Sequence, residues 1–359
     1  MAMSGGVDSS VAAALLKQQG HEVIGLHLKL YHGTGQDSRA KSCCSLDEAM
    51  DARAVCHRLE IPFYVLNVQE EFRSEVIDYF IREYQDGRTP NPCVMCNRTI
   101  KSRYLLEKAD ELDCELLATG HYARSRQDAG SGGWALARPA DLRKDQTYFL
   151  WGVERKSLPR LCFPLAEHVK SQVRRIASEL DFAAADKPDS QEVCFVPRDY
   201  RQFLAAELPE TPEPGEFVDT EGKVLGTHQG LPYYTVGQRR GLGLSDATPY
   251  YVVRLDRERN QVLLGKEADL ASQTVRISGV NWVSVEPASE EPLRVTAKLR
   301  YSHSGTPATV HPGPDGTATV MLDEPVRAVT PGQAAAFYDR DVLLGGGWIE
   351  DLPSDFQTN

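Results

Sequence analysis

The first ten residues constrain the fold more than any other stretch. Ser4-Gly5-Gly6-Val7-Asp8-Ser9-Ser10 stands directly before a run of alanines and leucines that predicts a helix. Two adjacent glycines let successive backbone amides curl into an anion-binding nest, and the helix start adds its positive dipole end. Hydroxyls at Ser4, Ser9 and Ser10 can bond phosphate oxygens, and Asp8 can help hold a magnesium ion. The loop lacks the Lys-Ser/Thr ending of a Walker A motif, so it handles its phosphates differently. Loops of this kind are fed by a buried strand, yet only Met1-Ala2-Met3 precede this one. The expectation is therefore a truncated central strand, or a translation start further upstream.

Strand and helix then alternate to about residue 125, which means a parallel sheet covered on both faces. A helix over Val11–Gln19 ends at Gly20, a residue suited to a C-terminal cap, and leads into a strand over Val23–Leu28. Ser45-Leu-Asp-Glu48 is a capping box for a helix with Ala49, Ala52, Cys56 and Leu59 on its apolar face. A strand over Phe63–Val68 follows, then an amphipathic helix carrying Phe72, Val76, Phe80 and Tyr84. After a turn region at Gly87–Asn97 come a helix over Arg98–Leu112 and a strand over Leu116–Thr119. Beyond residue 200 the pattern changes. Pro209, Pro212, Pro214 and Gly215 break the chain, and Tyr250–Leu255 with Gln261–Leu264 reads as a hairpin. Short alternating strands at Thr274–Val283, Leu293–Tyr301, Thr306–His311, Thr317–Leu322 and Ala334–Tyr338 have the spacing of a small β-barrel. The tail beyond Asp351 reads as disordered.

A length of 359 residues exceeds one compact core. The domains are expected at 1–196 (catalytic), 197–270 (a small central domain) and 271–352 (the barrel), with a tail at 353–359. No apolar run reaches the roughly 18 residues that span a bilayer, and no signal peptide is evident, so a cytoplasmic location is expected. The formal net charge of −11 does not advertise a nucleic-acid binder. Between Arg138 and Arg175, however, nine Lys/Arg (Arg138, Arg143, Lys144, Arg155, Lys156, Arg160, Lys170, Arg174, Arg175) oppose four acids (Asp141, Asp145, Glu154, Glu167), a local +5. Such a run is either a solvated face or a basic patch for a polyanion.

Eight cysteines in a chain of this type are not a disulfide framework. Cys56 and Cys162 sit among apolar residues and read as buried hydrophobes. The adjacent pair Cys43-Cys44 is assigned no role. Cys96 is expected at the start of a helix, where the dipole with Arg98 and Lys101 favours a thiolate. Cys194 is expected in a short strand-like segment, Asp189-Ser-Gln-Glu-Val-Cys194-Phe-Val-Pro. Both are either reactive thiols or packing residues.

The Ser-Gly-Gly-x-Asp-Ser loop resembles the PP-loop of ATP pyrophosphatases, which release pyrophosphate and leave AMP on a substrate oxygen. The chain as a whole resembles the bacterial and organellar tRNA-specific 2-thiouridylase family. The motifs that carry this are Ala2–Ser10, Gly87-Arg-Thr-Pro-Asn-Pro92, Cys96-Asn97, Ala118-Thr-Gly-His-Tyr-Ala-Arg124, Lys144-Asp-Gln-Thr-Tyr-Phe-Leu150, Ser190-Gln-Glu-Val-Cys194-Phe195, Tyr234-Thr-Val-Gly-Gln-Arg-Arg-Gly-Leu242 and Leu299-Arg-Tyr301. Their order and spacing identify the family, which no single motif would do.

The resemblance implies an adenine nucleotide alpha hydrolase-like α/β domain followed by a central domain and a β-barrel. It implies ATP held by Ala2, Met3, Ser4, Gly5, Gly6, Val7, Asp8 and Ser9 with Leu28 and Gly120. Asn91, Pro92 and Cys93 would meet a flipped-out base, with Cys96 as nucleophile and Cys194 as persulfide carrier. His121, Lys144, Asp145, Gln146, Arg300, Tyr301 and Gln333 would contact tRNA. The implied substrate is the wobble uridine (position 34) of tRNAs for Lys, Glu and Gln. Its sulfur would come from a donor protein such as a cysteine desulfurase or sulfur-relay protein. Cys93 departs from the aspartate many relatives carry there. With Cys96 and Cys194 it gives three thiols, enough to ligate a [4Fe–4S] cluster, so persulfide and cluster routes both stay open. A PP-loop synthetase acting on a small metabolite, and a non-catalytic RNA- or metal-binding module, are the competing readings.

Overall fold

The computed structural model describes every residue except 32–45, 128–131, 189–192, 197–198, 287–290 and 352–359. Ser45, the Cys43-Cys44 pair, Ser190–Glu192 and the C-terminal tail therefore lie outside the described residues. The chain divides into two compact units. One is Met1–Ile77, Cys93–Arg198 and Asp341–Leu343; the other is Asp78–Pro92, Asp199–Arg340 and Leu344–Asn359.

The elements begin with α1 (Val7–Gln18), β1 (Gly25–Lys29), α2 (Leu46–Arg58) and β2 (Phe63–Asn67). A helical run follows as α3 (Gln69–Phe72), a π-type stretch Arg73–Ile77 and α4 (Asp78–Gln85). A second run comprises α5 (Pro92–Cys96), a π-type stretch Asn97–Tyr104 and α6 (Leu105–Glu111). Then come β3 (Leu117–Ala118), β4 (Arg124–Gln127), β5 (Trp134–Ala137), β6 (Leu161–Cys162) and α7 (Lys170–Glu179).

In the first unit β1 pairs in parallel with β2, and β3 with β6. Met1–Met3 join these pairs. Leu26 N donates to Met1 O at 2.9 Å, Met3 N to Leu26 O at 2.8 Å, and Ala2 N to Ala118 O at 2.8 Å. The three residues make one parallel bridge, Ala2 to Leu26, between the two pairs, and the buried Met1 and Met3 side chains anchor them. Helix α1 starts at Val7, earlier than expected, because Gly6 takes the extended N-cap conformation. Its small face, Ala12 to Ala14, is buried in a core shared with Cys56, Val173 and Phe182. Gly20 closes the helix, its N–H donating to Lys17 O at 3.1 Å. Phe72, Val76, Phe80 and Tyr84 are all buried, as their spacing predicts.

The second unit continues with α8 (Tyr200–Glu207), β7 (Gly215–Val218), β8 (Val224–His228), β9 (Tyr251–Asp256) and β10 (Gln261–Gly265). These strands lie in the order β8-β7-β10-β9, and β9–β10 is the expected hairpin. Last come β11 (Ala271–Asn281), β12 (Leu293–Lys298), β13 (Thr306–Pro312), β14 (Ala318–Arg327), β15 (Ala334–Asp339) and β16 (Val342–Ile349). They run β11-β14-β13-β12-β15-β16, and β11 pairs with β16 to close a six-stranded antiparallel barrel. The closing strand was not legible in the sequence because Gly345-Gly-Gly347 breaks its alternation. The glycines are required there: a Cβ on Gly347 would fall 2.4 Å from Ile277 Cγ2. No helix among the described residues is long and apolar enough to cross a membrane.

Candidate active site

The glycine loop leaves the carboxyl end of the Met1–Met3 segment, which bridges in parallel to Leu26, beside the carboxyl ends of β1 and β3. That edge is where open parallel sheets bind their ligands. Ser4 Oγ and Ser9 Oγ lie 3.1 Å apart, while Ser9 and Ser10 hydroxyls donate to Gly6 O at 3.1 and 2.9 Å. The serines expected to meet phosphate therefore first shape the loop. Ser4 is exposed, whereas Ser10 is fully buried. Leu28 sits in β1 near its carboxyl end, and Gly120 follows β3. A Cβ on Gly120 would lie 2.8 Å from Ser9 N and 2.9 Å from the Asp8 carbonyl carbon. Only glycine lets the two segments approach this closely.

Asp8 is not an isolated metal ligand. Lys170 Nζ, from the first turn of α7, donates to both of its oxygens at 2.7 and 2.8 Å. Tyr122 Oη donates to Asp8 Oδ1 at 2.9 Å. Tyr122 is oriented in turn by Gln146, whose Oε1 accepts its N–H at 2.9 Å and whose own N–H reaches Tyr122 O at 3.1 Å. Buried Asp145 caps the same turn, accepting Thr147 N at 2.9 Å. Lys170 and Tyr122 carry no role in the sequence reading. Tyr122 is one residue beyond His121 in its motif, and Lys170 is one cation of the basic run. Neither position reveals that its partner lies more than a hundred residues away. His121 Nδ1 sits 2.7 Å from Thr119 Oγ1. Burial, with the Lys101 charge nearby, pushes this imidazole down to about 3, so it is neutral in ordinary buffers.

The basic run is not one solvated face. Arg160 donates to Glu115 O and Cys114 O at 2.7 and 2.8 Å, Arg174 to Ala185 O and Lys187 O at 2.5 and 2.9 Å, and Arg138 lies 3.7 Å from Asp145. With Lys170 on Asp8, four of these cations serve the fold. Arg143, its side chain 91% exposed, reaches only the edge of Asp141 at 3.7 Å.

Comparison with known proteins places this arrangement. Residues 1–198 match the family described as tRNA methyl transferase HUP domain, 201–266 its PRC-barrel domain, and 272–349 the aminomethyltransferase beta-barrel domain. A tRNA-specific 2-thiouridylase MnmA of Symbiobacterium thermophilum is 49% identical over 98% of this chain and 91% of its own. The chain belongs to the tRNA-specific 2-thiouridylase family. The MnmA of Acidobacterium capsulatum is 46% identical over 97% of this chain and 98% of its own, and that of Carboxydothermus hydrogenoformans 47% over 98% and 96%.

Against that family, the structure revises two expectations about the cysteines. Cys96 is not at a helix start: α5 begins at Pro92, whose fixed φ suits a first helical position, and Cys96 is its buried last residue. The first-turn cysteine is Cys93, which is exposed. Cys194 lies in a turn closed by Val196 N–H to Val193 O at 3.0 Å rather than in a strand. Phe195 beside it is buried edge-on against Phe72, 5.7 Å between centroids. Cys96 is buried and Cys194 half-buried. Among the described residues no three His, Cys, Asp or Glu groups are gathered to hold a metal. In the second unit, Tyr301 of the 2-thiouridylase motif is exposed with Lys298 Nζ 5.5 Å from its ring centre, and Arg300 donates to Arg327 O at 3.1 Å. Gln333 donates to Thr89 O and Pro90 O, both at 3.1 Å. Asn91 is buried.

Proposed function

We propose that this chain is a tRNA-specific 2-thiouridylase that adenylates the C2 oxygen of the wobble uridine of tRNAs for Lys, Glu and Gln and replaces it with sulfur. The observation that carries the reading is an ATP-type glycine loop at the carboxyl edge of a parallel sheet, in a chain aligned nearly end to end with relatives bearing that name. The loop fits a nucleotide phosphate chain: the absence of a side chain at Gly120 keeps its back wall open, and Ala2–Ser9 with Leu28 line the edge. Oxygen at C2 of uracil is a poor leaving group, so transfer of AMP to it, with release of pyrophosphate, prepares its departure. Both Asp8 oxygens are engaged by Lys170, and no group of three His, Cys, Asp or Glu is gathered to hold a metal among the described residues. These residues do not fit a resident magnesium ion, and magnesium is read as entering with ATP.

A persulfide on Cys194, loaded by a cysteine desulfurase or relay protein, attacks C2 through its outer sulfur and expels AMP. The Cys96 thiolate then attacks the Cys194 sulfur. The base leaves as the thiocarbonyl, and the resulting Cys96–Cys194 disulfide is reopened by a thiol reductant. This route is preferred over an iron–sulfur cluster because, among the described residues, exposed Cys93 and buried Cys96 are not gathered with a third ligand.

Asn91, Pro92 and Cys93 would face the extruded base, which sequence-specific RNA recognition brings out of its stack. Lys144, Arg300 and the Tyr301 ring suit phosphate and base stacking, while His121 would act as a neutral hydrogen-bonding group. Asp145 and Gln146 would act by holding their turn in place. The domains are read as 1–196, 197–270 and 271–352, working in the cytoplasm. Mass spectrometry of tRNA nucleosides from cells lacking the protein tests the whole reading: 2-thiouridine should disappear and return on complementation. Its persistence would refute it.

A further inference from the structure

The segment Arg88–Asn91 belongs to no helix or strand, so its own backbone does not set its conformation. Within the second unit that work is done by the barrel. The Gln333 amide, in the turn entering β15, donates through Nε2 to the carbonyls of both Thr89 and Pro90. Pro331 O accepts Thr89 N–H at 2.8 Å, and Gln333 O accepts Ile349 N–H at 2.8 Å, which ties the same turn to β16. Arg88 forms the other side of the clamp. Its Nε donates to Glu83 at 2.8 Å, and its Nη1 and Nη2 fork onto Glu350, just beyond β16, at 2.5 and 3.2 Å. Burial works against the Arg88 charge, yet the two carboxylates outweigh it and hold the guanidinium firmly protonated. Glu350 is further fixed by the Ser278 hydroxyl of β11.

These contacts are costly to arrange for packing alone. Three polar groups of the barrel, the Gln333 amide, Pro331 O and the Glu350 carboxylate, are spent on three residues of irregular chain, immediately before the residue read as meeting the base.

We propose that Gln333 and Arg88 are positioning residues through which the β-barrel domain sets the Thr89–Asn91 backbone, so that presentation of the target base depends on the barrel. The inference rests on the reading that Asn91–Cys93 contacts the extruded uridine. It predicts that loss of the clamp slows chemistry at saturating tRNA without loosening tRNA binding, because the segment would still exist but would sample misaligned conformations.

The test uses the full-length enzyme. Gln333→Met conserves volume and removes both donors. With enzyme in excess over tRNA, single-turnover pyrophosphate release should fall about tenfold, while tRNA Kd stays within about twofold. Gln333→Glu, which sets oxygen against two carbonyls, should fall further. Should Gln333→Met lower the unfolding midpoint, Arg88→Lys carries the test. It keeps the charge but loses the fork, and the same split is expected. Asn91→Ala is the reference: if it leaves the saturated rate unchanged, the base-site reading itself fails. If Asn91→Ala slows the reaction but the clamp variants do not, positioning is overturned. It is equally overturned if Gln333→Met weakens tRNA binding with the saturated rate intact, because Gln333 would then be an RNA contact alone.

Discussion

Replacing Gly120 by alanine tests the nucleotide site at its tightest point. The added methyl would sit 2.8 Å from Ser9 N, 2.9 Å from the Asp8 carbonyl carbon and 3.0 Å from Ser9 Cα, all backbone atoms that no rotamer change can move. Ordinary contact begins near 3.4 Å, so the loop must retreat by at least about 0.6 Å. Overpacking of this kind costs about 1–3 kcal/mol. It falls on the residues that would align the ATP phosphates, where a displacement approaching 1 Å reduces turnover by about a hundredfold. Gly120→Ala is therefore expected to lower kcat/KM for ATP about a hundredfold in a tRNA-dependent pyrophosphate assay, with tRNA Kd held within about twofold. Gly20→Ala is the control. Its φ of +88° is strained for alanine, but nothing lies within 4 Å of the new methyl. It should lose about 1 kcal/mol of stability and keep its activity. Unchanged ATP kinetics in Gly120→Ala would refute the assignment of the glycine loop as the nucleotide site.

Three further outcomes follow from the geometry. Lys170→Met should destabilise the protein by roughly 1–3 kcal/mol in urea unfolding, because it strands a partly buried Asp8 carboxylate; an unchanged midpoint would show the ion pair to be idle. The His121 imidazole, held at about 3, should stay neutral on NMR titration down to pH 5. The unfolded chain binds that proton below about 6.5 and the folded chain only near 3, so His121 makes stability fall as pH drops through that window. A His121 resonance titrating near 6.5 would contradict this. Cys194→Ser should abolish thiolation yet still release pyrophosphate, whereas Cys93→Ser should cost less than about threefold. An equal loss in both variants, with iron in the purified protein, would favour a cluster.

Legibility in the sequence followed the range of the interaction. The glycine loop, the Gly20 cap and the Phe72–Tyr84 face depend on neighbours within a few residues, and each was readable. The hairpin and five barrel strands were readable from alternation. β16 was hidden because its closing position demands glycines, which erase the period used to find a strand. Lys170 on Asp8 and Gln333 on Thr89 were invisible for a different reason. Each joins residues more than 150 positions apart, and no local pattern distinguishes a lysine in a salt bridge from one in solvent. The helix around Cys96 shows an intermediate case. Pro92 was present as a start signal, but the turn-rich segment before it pulled the expected boundary to Arg98.

The pairing of β11 with β16 has a consequence for how this protein fares in a crowded compartment. An open sheet of six strands would offer two rows of unsatisfied amides and carbonyls to any passing extended chain. Where β11 meets β16 the two rows satisfy each other, so the barrel's own strands give nascent or damaged polypeptides little template on which to add a strand and begin an aggregate.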